Sequence, residues 1–199
     1  GSPSDGRISQ FGPIEDHHLI QAKGKTFTLN EFLTPSCQST HAFIDGSFCT
    51  IYLSPRDYHR VHMPCDGKLM EMIYVPGHLY SVAPYAPKTI DKLYARNERV
   101  ISVFKCAQGY MASVMVGAVN VAAIEAVWEG LVTPPQLSTA VRYNYQAKNI
   151  TLKKGEQMGT FNMGSTVVLI FSKDTINFSD KLHNQKPVKM GQVMGINNS

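Results

Sequence analysis

The chain has 199 residues, 43% hydrophobic and 17% charged, with a formal net charge of +4 and a pI near 8.8. So few charges among so many apolar residues exclude a disordered chain, and at this length a core can bury roughly 70% of the unfolded surface without a disulfide or metal staple. The mild positive excess suits anionic partners, including lipid surfaces, but Lys and Arg do not cluster with interleaved aromatics, so no nucleic-acid partner is expected.

Taken in chain order, the first feature is Ser2-Pro3-Ser4-Asp5-Gly6-Arg7-Ile8-Ser9, where Asp5-Gly6 reads as a turn pair. Leu19–Ala22 and Asn30–Leu33 each suit a short helix or turn, with Phe27–Leu29 as a strand between them. Phe48–Leu53, Lys68–Val75, Val100–Phe104 and Thr166–Phe171 are short runs rich in β-branched and aromatic residues, and are predicted strands. Ile90–Ala95 suits a third short helix. The apolar stretch Met111–Trp128 contains Asn120, Glu125 and Gly117, so buried strands fit it better than a membrane-spanning helix.

Glycine-containing turns flanked by apolar residues recur at Val75–Val82, Leu152–Phe161 and Val188–Gly195. Glycine supplies the positive φ of a tight strand connection. Many short strands with few helices predict a mainly β fold, a β-dominated α+β sandwich or barrel, with turns like the hammerheads of lipoyl and biotinyl domains. Cys37, Cys49, Cys65 and Cys106 form no C-x-x-C pair, so reduced thiols are expected rather than a zinc site or disulfide framework.

Two segments could carry chemistry. Ser54-Pro55-Arg56-Asp57-Tyr58-His59-Arg60-Val61-His62-Met63-Pro64 holds two histidines between prolines. They could be hydrogen-bonded structural residues or acid–base groups; a metal site would lack its third ligand. Asp5 and Asp57 are equally reasonable acidic partners for a histidine. The second segment, Gly159 to Phe171, places Gly164-Ser165-Thr166 directly before an apolar strand. Ser165 could simply close a turn. A hydrolase elbow is absent, because Val167 fills the final glycine position. Gly164, with no side chain, leaves its carbonyl open to attack by a neighbouring hydroxyl.

Together these segments resemble phosphatidylserine decarboxylase of the bacterial type, from Pro3 to about Gly195. The most specific parts are Asp5-Gly6, the run from Tyr52 to Val82, Ala95-Arg96-Asn97-Glu98-Arg99-Val100, and Gly164-Ser165-Thr166. Met163 stands where the family usually has Leu, a tolerated exchange. The resemblance implies one catalytic domain over 1–199, made as a proenzyme that cuts its own Gly164–Ser165 bond into a β chain (1–164) and an α chain (165–199). It implies an acid–histidine–serine triad of Asp5, His62 and Ser165, with His59 acting in decarboxylation. Ser165 would become a pyruvoyl group, the covalent cofactor, which forms a Schiff base with phosphatidylserine, releases carbon dioxide and yields phosphatidylethanolamine. A homodimer, and peripheral binding to anionic lipid at the cytoplasmic face of the inner membrane, would follow. The family's N-terminal membrane segment is absent from these residues.

Three rival readings make distinct predictions. A biotinyl or lipoyl carrier would be modified on Lys189, though Val188 replaces the expected flanking Met. A serine hydrolase built from Asp5, His62 and Ser165 would stay one chain. A structural β domain would show neither cleavage nor modification.

Overall fold

A computed structural model describes residues 1–119, 123–133, 137–161 and 165–197. The first half holds β1 (Gly6–Pro13), β2 (His18–Ala22), β3 (Lys25–Thr28), helix α1 (Leu29–Leu33), β4 (Ser47–Leu53), β5 (Arg60–His62) and β6 (Gly67–Val75). Short helices α2 (Ala86–Thr89) and α3 (Leu93–Arg96) precede β7 (Arg99–Cys106), β8 (Gly109–Val116), β9 (Ile124–Ala126), β10 (Gly130–Leu131) and β11 (Val141–Asn144). The last part holds β12 (Thr151–Leu152), β13 (Gln157–Phe161), β14 (Ser165–Phe171), β15 (Ile176–Phe178), β16 (Pro187–Val188) and β17 (Gly195–Asn197).

The fold is β-dominated, as expected, and the strands of its sheets pair antiparallel. The main sheet runs β11-β6-β7-β8-β14-β4-β1-β16, with β12 also on β6, and a second sheet runs β10-β9-β13-β5. The main sheet ends at β11 and β16 and does not close into a barrel. All seven residues of β14 are buried. Its sequence Ser-Thr-Val-Val-Leu-Ile-Phe is apolar on both faces from Val167 onward, which suits a strand covered on both sides between β8 and β4.

Two local expectations are corrected. Leu19–Ala22 lies in a strand, not a helix: Leu19 and Gln21 are buried while Ile20 is exposed, a two-residue period. Leu29 begins a helix rather than ending a strand, because Thr28 caps it. Thr28 Oγ1 accepts the Glu31 N–H at 3.1 Å, and the Glu31 carboxylate accepts the Thr28 N–H at 2.9 Å.

The glycine turns divide into two kinds. Gly155 and Gly191 have φ of +86° and +79°, as a tight turn requires. Gly77 has no positive φ; it is glycine because an added Cβ would sit 2.5 Å from the Arg96 carbonyl oxygen.

The Gly155 and Gly191 turns belong to a larger internal repeat. Ser2-Pro3-Ser4-Asp5-Gly6 leads into β1, and Met63-Pro64-Cys65-Asp66-Gly67 leads into β6. The Ser2 N–H donates to the Gln192 carbonyl at 2.7 Å and the Ser2 carbonyl accepts from the Gly191 N–H at 2.9 Å. Met63 makes the same two bonds with Glu156 and Gly155, at 2.8 and 2.9 Å. Val188 pairs with Gly6 as Leu152 pairs with Gly67, and both leading strands carry a bulge, after Ile8 and after Leu69. The register makes β4 the counterpart of β7 and β14 the counterpart of β8. Leu53 opposite Ser165 therefore corresponds to Cys106 opposite Gly109. A two-residue hairpin joins Cys106 to Gly109, whereas Leu53 and Ser165 are far apart in sequence. The chain opens there, and the segment with both histidines leaves from it.

Candidate active site

Ser165 begins β14, opposite Leu53 on β4. It is fully buried, and its Oγ has no hydrogen-bond partner among the described residues; the same holds for Thr166 Oγ1. An unpartnered buried hydroxyl is costly and calls for an explanation. Gly164, the other half of the expected scissile bond, lies outside the described residues, as does Met163.

The histidines are set by β5, which pairs with β13: His62 lies opposite Gln157 and Arg60 opposite Thr160. The His59 carbonyl accepts the Phe161 N–H at 3.0 Å, so His59 stands at the end of β13 that leads toward Ser165. His59 Nε2 is buried and has no partner among the described residues. His59 and Ser165 each carry a buried polar atom with no partner among the described residues.

His62 is fully committed. Its Nδ1 lies 2.9 Å from the Gly155 carbonyl and its Nε2 lies 3.0 Å from the Tyr58 hydroxyl. A carbonyl only accepts, so Nδ1 carries the proton, and in the neutral ring Nε2 accepts from Tyr58. The Tyr58 ring stacks on the imidazole, with centroids 5.6 Å apart and planes 22° apart. The orientation of His62 therefore comes from the Gly155 turn, and its basic nitrogen is covered by a tyrosine.

The structure does not bring Asp5 to His62. Asp5 accepts from Lys189 Nζ at 2.7 Å and from the Met190 N–H at 2.9 Å. Partial burial works to raise its pKa, but the Lys189 hydrogen bond and the Met190 amide outweigh it and hold the carboxyl below its ordinary value. Asp5 reaches the histidine indirectly, because the Pro3 carbonyl in its loop accepts the His62 N–H at 2.8 Å. Asp57 is not a histidine partner either; its carboxylate accepts the Ser54 N–H at 2.7 Å and closes its own turn. Lys189, the residue of the carrier reading, is the cation of the Asp5 pair.

Tyr58, Gly155 and Asp66 were not singled out as site residues from sequence. The Asp66 carboxylate accepts the Lys154 N–H at 2.8 Å and Lys153 Nζ at 2.9 Å, fixing the turn whose Gly155 carbonyl holds His62. The signal was present: Pro-x-Asp-Gly occurs at Pro3–Gly6 and again at Pro64–Gly67. Among the described residues no cluster of three or more metal-ligating side chains occurs, and no helix is long and apolar enough to cross a membrane.

The family model for phosphatidylserine decarboxylase matches residues 1–196. The chain belongs to the phosphatidylserine decarboxylase family. It is 52% identical over 192 residues to a phosphatidylserine decarboxylase proenzyme of Vibrio campbellii, covering 95% of this chain and 67% of the relative. It is 51% identical over 193 residues to the proenzyme of Vibrio cholerae, covering 96% and 68%. The proenzyme of Photobacterium profundum is 49% identical over 193 residues, covering 96% and 66%. The segment from Leu53 to Met63 is the excursion made where the internal repeat lacks its hairpin.

Proposed function

We propose that this chain is a self-processing phosphatidylserine decarboxylase that cuts its Gly164–Ser165 bond and converts Ser165 to a pyruvoyl group. The observation that carries the reading is the match to the phosphatidylserine decarboxylase family over residues 1–196, with Ser165 fully buried at the head of β14. Ser165 is not a surface turn residue, and among the described residues losing its hydroxyl in conversion forfeits no hydrogen bond. This fits a pyruvoyl group at the same position, held by the main chain of β14 between β4 and β8.

In this reading His62, with Nδ1–H fixed on Gly155, takes the Ser165 hydroxyl proton at Nε2 after Tyr58 moves aside. The Ser165 oxygen attacks the Gly164 carbonyl, and an ester replaces the peptide bond. Loss of the Ser165 α-proton then breaks the ester C–O bond and releases Gly164 as a carboxylate. Water takes the nitrogen of residue 165 as ammonia. Asp5 acts as a positioning residue, bracing the His62 main chain through Pro3 and tying Lys189 and Met190, in the 165–199 fragment, to the 1–164 fragment. The pyruvoyl group supplies an electrophilic carbonyl that engages the amine of phosphatidylserine and takes up the electron pair left by departing carbon dioxide. His59, whose Nε2 is free of other bonds among the described residues, returns a proton to the substrate carbon; His62 is the second candidate. Phosphatidylethanolamine is the product. Binding to anionic lipid at the cytoplasmic face of the inner membrane, supported by the +4 charge, and a homodimer complete the reading.

Intact mass under denaturing conditions tests it. Two fragments meeting at Gly164/Ser165 are expected, the smaller lacking one ammonia relative to simple hydrolysis. Ser165→Ala should stay one chain. Cleavage of that variant at the same bond would remove the mechanism.

A further inference from the structure

The internal repeat gives the region around Ser165 a twin at the opposite end of the central β8–β14 strand pair. Leu53, Ser4 and Met158 correspond to Cys106, Cys65 and Met194, and Gly159 corresponds to Gly195. The twin is a cavity lined by Pro64, Cys65, Cys106, Gln108, Thr175 and Met194, among others. It has no serine at the position of Ser165, which Gly109 occupies. It holds a thiol pair instead: Cys65 Sγ and Cys106 Sγ lie 3.5 Å apart.

We propose that Cys65 and Cys106 form a thiol modification site that reacts with small disulfides to give a reversible Cys65–Cys106 disulfide. Two sulfurs at hydrogen-bond distance need to close to about 2.05 Å, the length of an S–S bond. Cys65 is partly exposed and stands in the loop before β6, whereas Cys106 is 8% exposed and ends β7, so Cys65 is the sulfur a reagent meets first. The Cys106 thiol stabilises the Cys65 thiolate by hydrogen bonding and lowers its pKa, while the Cys106 pKa is raised by the same contact. The other two cysteines are internal controls. Burial pushes the Cys37 thiol up to about 11 and the Cys49 thiol up to about 12.

The exchange balances without any further reagent. The Cys65 thiolate attacks one sulfur of the small disulfide, breaks its S–S bond and expels one thiolate. The Cys106 sulfur then attacks Cys65 Sγ in the mixed disulfide and expels the second thiolate. The two protein thiol protons go to the two leaving thiolates, so the pair is oxidised and the small disulfide is reduced to two thiols. The inference is independent of the proposed decarboxylase chemistry, since it uses neither Ser165 nor the histidines.

The test is to incubate the full-length protein with glutathione disulfide and read intact mass and peptide maps. Expected are a loss of two hydrogens, about 2 Da, one cross-linked peptide joining Cys65 to Cys106, and reversal by dithiothreitol. Cys106→Ser should trap a stable glutathione adduct on Cys65, because the resolving sulfur is gone; Cys65→Ser should slow adduct formation at least tenfold. The proposal is overturned if the folded wild-type protein keeps both thiols under conditions that oxidise free dithiols. It is equally overturned if Cys37 or Cys49 reacts as fast as Cys65, or if Cys106→Ser leaves Cys65 unmodified.

Discussion

Asp5 and Asp66 are equivalent residues of one repeated arrangement. Each carboxylate takes a lysine ammonium, Lys189 or Lys153, and the backbone N–H of the following residue, Met190 or Lys154. Each thereby fixes a turn with a glycine at positive φ. The two turns differ in what they hold: the Gly155 carbonyl accepts from His62 Nδ1, and the Gly191 turn braces Ser2. Both aspartates should therefore matter for self-cleavage. Asp66→Ala is expected to slow it roughly tenfold, the scale of losing one positioning hydrogen bond. Asp66→Asn keeps an acceptor for Lys154 N–H and should lose less. Cleavage time courses check the rates, and imidazole nitrogen shifts by NMR check whether the His62 tautomer is disturbed. An unchanged tautomer with a slowed rate would mean the turn acts by another route.

Arg99 is a structural residue within a segment that carries the family resemblance. It is 2% exposed, and its guanidinium donates to the carbonyls of Phe32, Glu31, Ala95 and Asn97 at 2.8–3.0 Å. It joins α1 to the end of α3. Burial pulls its pKa down to about 9. Arg99→Ala leaves those carbonyls without their donor and should cost about 3–5 kcal/mol. Thermal unfolding should show a Tm lower by roughly 10 °C. Arg99→Lys cannot reach all of them, since an ammonium lacks the planar fork, and should fall between.

The strands were legible because β14, β4, β6 and β7 are short runs dense in β-branched and aromatic residues. Leu19–Ala22 was misread because four residues support either period; pairing with β3 decides it. Ser165 was legible only through the resemblance, since a serine before a strand has the look of any turn. The histidine contacts were not legible. His62 is held by Gly155 and Tyr58, and a main-chain carbonyl nearly a hundred residues away leaves no side-chain signature. The repeat is visible in the sequence as Pro-x-Asp-Gly at Pro3–Gly6 and Pro64–Gly67, and Gly77 belongs to neither copy.

Acid stability should depend on Glu71. Its carboxylate is 1% exposed and accepts from Ser39 N–H at 2.9 Å, Ser39 Oγ at 2.6 Å and the Arg142 guanidinium. Burial works to raise its pKa, but Ser39 and Arg142 outweigh it, and the net shift is downward. A folded pKa below the unfolded value means the stabilisation is present above about 4.3 and is lost as pH falls through the folded value. Glu71→Gln should therefore be less stable than wild type at pH 7, with the difference shrinking below about pH 4. Urea midpoints across pH 3–7 measure this; a pH-independent difference would assign the loss to packing instead.

Tyr58 should act as a cover on the base rather than as part of it. Its hydroxyl sits on His62 Nε2, the nitrogen that has to accept the Ser165 proton in the proposed mechanism, and the residue is 42% exposed. Moving it aside costs one hydrogen bond at a solvent-accessible position, about 0.5–1.5 kcal/mol. Tyr58→Phe removes that bond and keeps the stacked ring. It should process as fast as wild type or up to about tenfold faster, since the base no longer has to be uncovered. The half-time of fragment formation after refolding measures it. A slowing of tenfold or more would instead make the hydroxyl a proton relay between Ser165 and His62, and Tyr58 would then be counted among the catalytic residues.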